Sequence, residues 1–159
     1  MKKFELTSET KINIFGKKLF RIKALISFGN VEAGETGGWV EKEENVNQSG
    51  DAWVFGNAEV FGNARVSGNA RVSGNAEVFD NAWVFGNADY ATIHGFGTQF
   101  RTTTFFRCKD KQVKVSCGCF YGTIPEFREQ VKNTRKGKIA EEYLMIADLM
   151  EKHFAEEAK

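Results

Sequence analysis

Histidine, cysteine and unbalanced charge are scarce in this 159-residue chain, and each scarcity removes a class of function. The two histidines, His94 and His153, cannot supply a three-histidine zinc site, so no zinc is expected. Three cysteines, Cys108, Cys117 and Cys119, are an odd number that fits a reducing compartment better than a disulfide framework. Their CxC spacing also lacks the paired CxxC of structural zinc sites, and Cys117 and Cys119 continue an apolar face begun by Val113 and Val115. Lys and Arg total 22 against 21 Asp and Glu, a formal net charge of +1, so any argument from charge must be local. No apolar run approaches the roughly 20 residues of a membrane span, and Met1 to Glu9 lacks the apolar centre of a signal peptide. A cytoplasmic protein with no membrane partner is expected.

What the chain has in abundance is repetition. Residues 50–91 hold seven six-residue units in tandem: GDAWVF, GNAEVF, GNARVS, GNARVS, GNAEVF, DNAWVF and GNADYA. Six is a multiple of the strand period of two, so alternate positions keep their side from unit to unit. The Ala and Val positions, from Ala52 and Val54 through Ala82, Val84 and Ala88, therefore share one face, and the variable positions share the other. Gly-Asn or Gly-Asp at the unit starts, with Asp-Asn in the sixth, tolerates positive φ and turns the chain sharply.

Tandem GNAxVx resembles the hexapeptide-repeat proteins, which implies a left-handed parallel β-helix with three units to a coil. The segments FGNVEAGETGGWVEKEEN and CGCFYGT are similar to an uncharacterised group of β-helix proteins carried by bacteria and their phages. With about three units per coil, residues 18 apart would stack at about 4.8 Å. Phe61 would lie on Phe79, Glu59 on Glu77, and Arg65 on Trp83. Stacked Glu59 and Glu77 repel unless a cation lies near.

The flanks divide the chain into three regions. Residues 1–28 read as an N-terminal β-hairpin cap, with a turn at Gly16-Lys17 between Lys11–Ile14 and Leu19–Ile22. Residues 29–97 are the expected β-helix, with blurred units before residue 50. Residues 98–159 read as a strand at 112–120 and two helices. The first starts at Thr123-Ile124-Pro125-Glu126, a capping box with the chain's single proline. The second carries Tyr143, Ala147, Met150 and Phe154 at helical spacing.

Candidate functional residues follow from this frame. Trp53, Phe55, Phe61, Phe79, Trp83 and Phe85 fall on the outer face, an apolar surface of a kind that monomers rarely leave open. Either the C-terminal helix or another subunit or partner covers them, and a homodimer or homotrimer is expected. The segment 98–114 interleaves Arg101, Arg107, Lys109 and Lys111 with Phe100, Phe105 and Phe106, a pattern able to hold an anion or nucleotide. Hexapeptide acyltransferases, by the resemblance, use a histidine near a coil edge as general base, and His94 stands in that place. No long loop that would form an acceptor pocket accompanies it. The β-helix carbonic anhydrases need three histidines and are excluded. The reading is a non-enzymatic interaction or scaffold protein without a cofactor, which self-associates and binds a protein partner. The resemblance makes a phage-encoded inhibitor of a host defence system the specific form of it. The second reading is a nucleotide- or acyl-CoA-binding protein, or an acyltransferase using His94.

Overall fold

The structure is a computed structural model that describes residues 2–155. The chain forms two compact units, Met1–Asn87 and Ala88–Lys159.

In the first unit, β1 (Phe4–Ile12) and β2 (Lys18–Ala24) make an antiparallel hairpin, and β3 (Thr36–Val40) pairs antiparallel with β2. A 3-10 turn at Glu43–Asn45 follows, and then come six strands of two residues each. They are β4 (Trp53–Val54), β5 (Glu59–Val60), β6 (Arg65–Val66), β7 (Arg71–Val72), β8 (Glu77–Val78) and β9 (Trp83–Val84). Strands β4 to β8 are short because the next unit opens with a residue at positive φ, Gly56, Gly62, Gly68 and Gly74 in turn and then Asp80 at φ 58°.

The short strands pair in parallel across 18 residues. Trp53 and Val54 of β4 face Arg71 and Val72 of β7; Glu59 of β5 faces Glu77 of β8; Arg65 of β6 faces Trp83 of β9. Before residue 50 the step is 20 residues, with Trp39 opposite Glu59 and Val46 opposite Val66. The two extra residues account for the blurred repeat there. The Ala and Val positions of β4 to β9 and their flanks, Ala52 to Val84, are 0–1% exposed. Each buried valine contributes roughly 1.5–3 kcal/mol of transfer free energy. Ala88, expected on the same face, is exposed instead, in the 3-10 turn Asn87–Asp89 that ends the repeat.

The expectation of a left-handed parallel β-helix is corrected by the sheet topology. The strands sort into several small sheets: a mixed five-stranded sheet of order β1-β2-β3-β5-β8 and two separate two-stranded parallel sheets, β4-β7 and β6-β9. Among the described residues no sheet closes or runs on as a solenoid, and no left-handed β-helix is evident. Two paired residues per strand are too few for neighbouring rows to merge, and the largest sheet is mixed because an antiparallel hairpin occupies its edge.

The second unit is a four-stranded antiparallel sheet with a helix pair. Its strands β10 (Tyr90–Phe96), β11 (Arg101–Arg107), β12 (Val113–Cys117) and β13 (Phe120–Thr123) are ordered as in the chain. Helix α1 (Ile124–Thr134) begins at the expected capping box: Thr123 accepts from the Glu126 amide, and Glu126 reaches back to the Thr123 amide. Helix α2 (Gly137–Phe154) places Tyr143, Ile146, Ala147, Met150 and Phe154 in one core with Phe105, Val115, Ile124, Phe127 and Val131. Its apolar stripe is thus buried within its own unit. On the other face of the sheet Phe106 stacks on Tyr121, with the Lys114 ammonium over the same tyrosine ring. No helix among the described residues is long and apolar enough to cross a membrane.

Candidate functional site

The six aromatics expected to form one outer surface meet three fates. Trp53 is fully buried, with Phe4 and Phe28 edge-on at 6.1 and 5.3 Å, and its indole nitrogen has no hydrogen-bond partner among the described residues. Phe61 and Phe79 are buried beneath Phe15, which lies 5.7 and 5.2 Å from them. Phe55 is half-buried under the Arg71 guanidinium, 4.8 Å from its ring. The cover for Trp53, Phe61 and Phe79 comes from the N-terminal segment: Phe4, Phe15 and Phe28 lie in or beside the β1–β2 hairpin, expected from the sequence only as an end cap. Glu59 and Glu77 do stack, and the cation that relieves them is Lys11, 2.9 Å from Glu59.

Trp83 and Phe85 remain at the surface, 5.2 Å apart, with Phe85 51% exposed. They line a groove of about 520 Å³ together with Val46, Val66 and Ser67. Arg65, paired with Trp83 across β6 and β9, also lines it, as do Glu43, Glu44, Asn47 and Gln48. Glu43 accepts from Gln48 Nε2 at 2.9 Å and pairs with Lys2 at 3.1 Å, which holds its carboxylate in place.

The basic segment is not brought together as one site. Arg101 and Arg107 sit at opposite ends of β11, on the order of 20 Å apart at the rise of an extended strand. Arg107 is held by structure: its Nε donates to Asp89 Oδ1 at 3.2 Å, its Nη2 donates to the Phe154 carbonyl, and its guanidinium lies over the Phe154 ring. Lys109 and Lys111 are exposed in the turn after β11, where Lys111 adopts φ 70°. His94 is exposed on β10, its Nδ1 3.0 Å from Thr102 Oγ1, and among the described residues no acid pairs with it as a relay.

Arg101 lines a cavity. A pocket of about 230 Å³ is formed by Arg101 at the start of β11, Cys117 and Cys119 around the β12–β13 turn, and Phe120 on β13. Phe127, Gln130 and Val131 of α1, its last residue Thr134, Arg135 just beyond it, and Tyr143 of α2 complete the wall. The Arg101 guanidinium lies directly against Gly118, where any Cβ would collide with Nη1; Gly118 also holds φ +60°. Tyr143 is 4% exposed, and burial pushes its phenol above the usual tyrosine range, with the adjacent Cys117 adding to the rise and Arg135 and Arg101 opposing it. The phenol is therefore a neutral hydroxyl at physiological pH. Arg135 and Tyr143 are pocket residues that the sequence did not mark as such: Arg135 follows α1 with no motif around it, and Tyr143 stood out only as part of the apolar stripe of the second helix.

Among the described residues no group of three or more His, Cys, Asp or Glu is placed to hold a metal. No protein-family model matches the chain, and comparison with curated proteins returned no match.

Proposed function

We propose that the protein is a non-enzymatic interaction protein that receives a segment of a protein partner in the Trp83–Phe85 groove. The observation that carries this reading is the pair of adjacent aromatic rings lining an open groove that Arg65, Glu43 and Glu44 also line. Trp, Phe and Arg are the residue types that concentrate at interface centres. Exposed Glu44 and half-buried Glu43 complement a basic side chain, so the occupant is a segment with an apolar anchor flanked by Lys or Arg. The rigid rows of buried valines behind the groove hold the rings in place before binding, which lowers the ordering cost. His94, exposed and without a relay, gives acyl transfer no comparable support.

An odd number of cysteines, three, favours the cytoplasm as the compartment. A phage-encoded inhibitor of a host defence system remains the specific form of the proposal, and it rests on the resemblance of residues 28–45 and 117–123 alone. The test is cross-linking from a photoreactive residue at position 85, followed by purification of the complex. A stoichiometric complex lost in Phe85→Asp and Glu44→Lys, both still folded, supports the groove as the binding face. A complex indifferent to both substitutions removes it. A homodimer in sedimentation that Phe85→Asp dissolves would make a second copy the occupant.

A further inference from the structure

We propose that the pocket between Arg101 and Arg135 binds a small phosphate monoester. Both arginines line the same 230 Å³ cavity, and neither has a carboxylate partner among the described residues. The contrast with the other arginines of this unit is direct: Arg107 is paired with Asp89, and Arg128 with Asp148 and Glu151. No carboxylate lines the cavity, so the two positive charges that line it, both felt by Tyr143, have no compensation there. Two guanidinium forks match the charge and the planar oxygen geometry of a phosphate dianion.

The remaining lining selects an ester over the bare ion. Tyr143 contributes a neutral hydroxyl and Gln130 an amide, which suit phosphate or sugar oxygens. Phe120 and Phe127, with ring centroids 5.7 Å apart, supply an apolar wall that inorganic phosphate would leave unused. The volume admits a phosphate with one small organic group. A nucleic-acid strand is disfavoured because Arg107, Lys109 and Lys111 lie at the far end of β11 and extend no basic track from the pocket.

This inference does not depend on the Trp83–Phe85 groove. The experiment is calorimetric titration of the full chain with phenyl phosphate and glycerol phosphate, using inorganic phosphate and phenol as controls. The monoesters are expected to bind more tightly than either control. Arg101→Gln and Arg135→Gln should each weaken them roughly 10- to 100-fold, the loss of a charged hydrogen-bond donor. Both arginines reach solvent, so both variants keep the wild-type melting temperature. Alkylation of Cys119 by iodoacetamide gives a second readout on the unmodified chain, and saturating monoester should slow it several-fold. Phe85→Asp leaves both readouts unchanged. Monoester binding no tighter than inorganic phosphate, affinity unaltered in both arginine variants, or unprotected Cys119 would each overturn the assignment.

Discussion

Phe61 and Phe79, eighteen residues apart, lie face to face with ring centroids 4.8 Å apart and planes within 4° of parallel. That distance is the spacing between hydrogen-bonded strands, so the ladder of β5 on β8 sets the stack directly. Phe15 from the β1–β2 turn closes over both rings.

Removing Phe15 should therefore act as removal of a lid. Phe61→Ala is expected to cost about 3–5 kcal/mol, as for a buried phenylalanine, and half-buried Phe15→Ala about 2 kcal/mol. The double variant should cost less than the sum, because the first loss already exposes the second ring. Urea denaturation of the four proteins checks this, and strict additivity would mean that Phe15 does not cover the stack.

Two glycines at the same place in successive repeats should respond differently to alanine. Gly68 and Gly74 both hold positive φ, +63° and +66°. A Cβ at Gly68 would strike the Phe85 carbonyl, whereas one at Gly74 meets nothing within 4 Å. Gly74→Ala is expected to cost about 1 kcal/mol for the left-handed backbone alone. Gly68→Ala should cost at least ~2 kcal/mol more, since a backbone carbonyl must move. Equal melting temperatures for the two variants would contradict this.

Lys3 gives the first unit a pH dependence. It is 1% exposed, and its ammonium donates to the carbonyls of Ala52 at 2.7 Å and Gly50 at 3.3 Å. Burial lowers its pKa from 10.5 to about 8, with the Asp51 charge opposing the shift. Between those values the unfolded chain holds a proton that the folded chain has released, so the stability contributed by this site rises with pH across the window. The stability difference between the native protein and Lys3→Met should shift toward the native protein by on the order of 2 kcal/mol from pH 7.5 to 10.5. Parallel stability curves across that range would remove Lys3 as the cause.

At the start of α1, Thr123→Ala should cost about 1 kcal/mol by deleting the cap. The Glu126 carboxyl is held below its ordinary value chiefly by the Thr123 amide and then by the Thr123 side chain. The part of the stability due to Glu126 is present above the unfolded value near 4.5 and is lost as pH falls through the lower folded value. Glu126→Gln should therefore flatten the acid limb of the melting profile. An unchanged acid limb would show that Glu126 is not linked to folding.

Arg107→Ala should destabilise the second unit by about 2 kcal/mol, because it removes a paired donor and leaves Asp89 and the Phe154 carbonyl without it. Monoester affinity should be untouched. A loss of affinity with unaltered stability would return Arg107 to the binding site.

The repeat made much of the first unit legible. Ala and Val every second residue, in units of six, placed twelve side chains inside, and the 18-residue register followed from stacking three units. The capping box at Thr123 is a local signal and was readable for the same reason. The sheet arrangement was not, because a two-residue strand shows nothing of whether its row joins the next. The cover over Phe61 was hidden as well: Phe15 lies 46 residues away in sequence, and nothing in the pattern of either segment names the other. At the pocket, Arg101 stood out as a cation among phenylalanines, but Arg135 follows α1 and Tyr143 belongs to α2. Only the docking of those helices brings the three together, and spacing along the chain carries no trace of it.

Residues 62–67 and 68–73 spell the same six letters, so a ladder displaced by one unit would bury an almost identical interior. What separates the true alignment from its shifted copies is the mixed sheet, in which β3, anchored by the hairpin, accepts β5 and no other strand of the repeat. The hairpin is thus the datum from which the units are counted. Chains in which Phe15 or Trp39 no longer marks the first row should populate several miscounted folds of nearly equal energy, visible as doubled amide resonances rather than as simple unfolding.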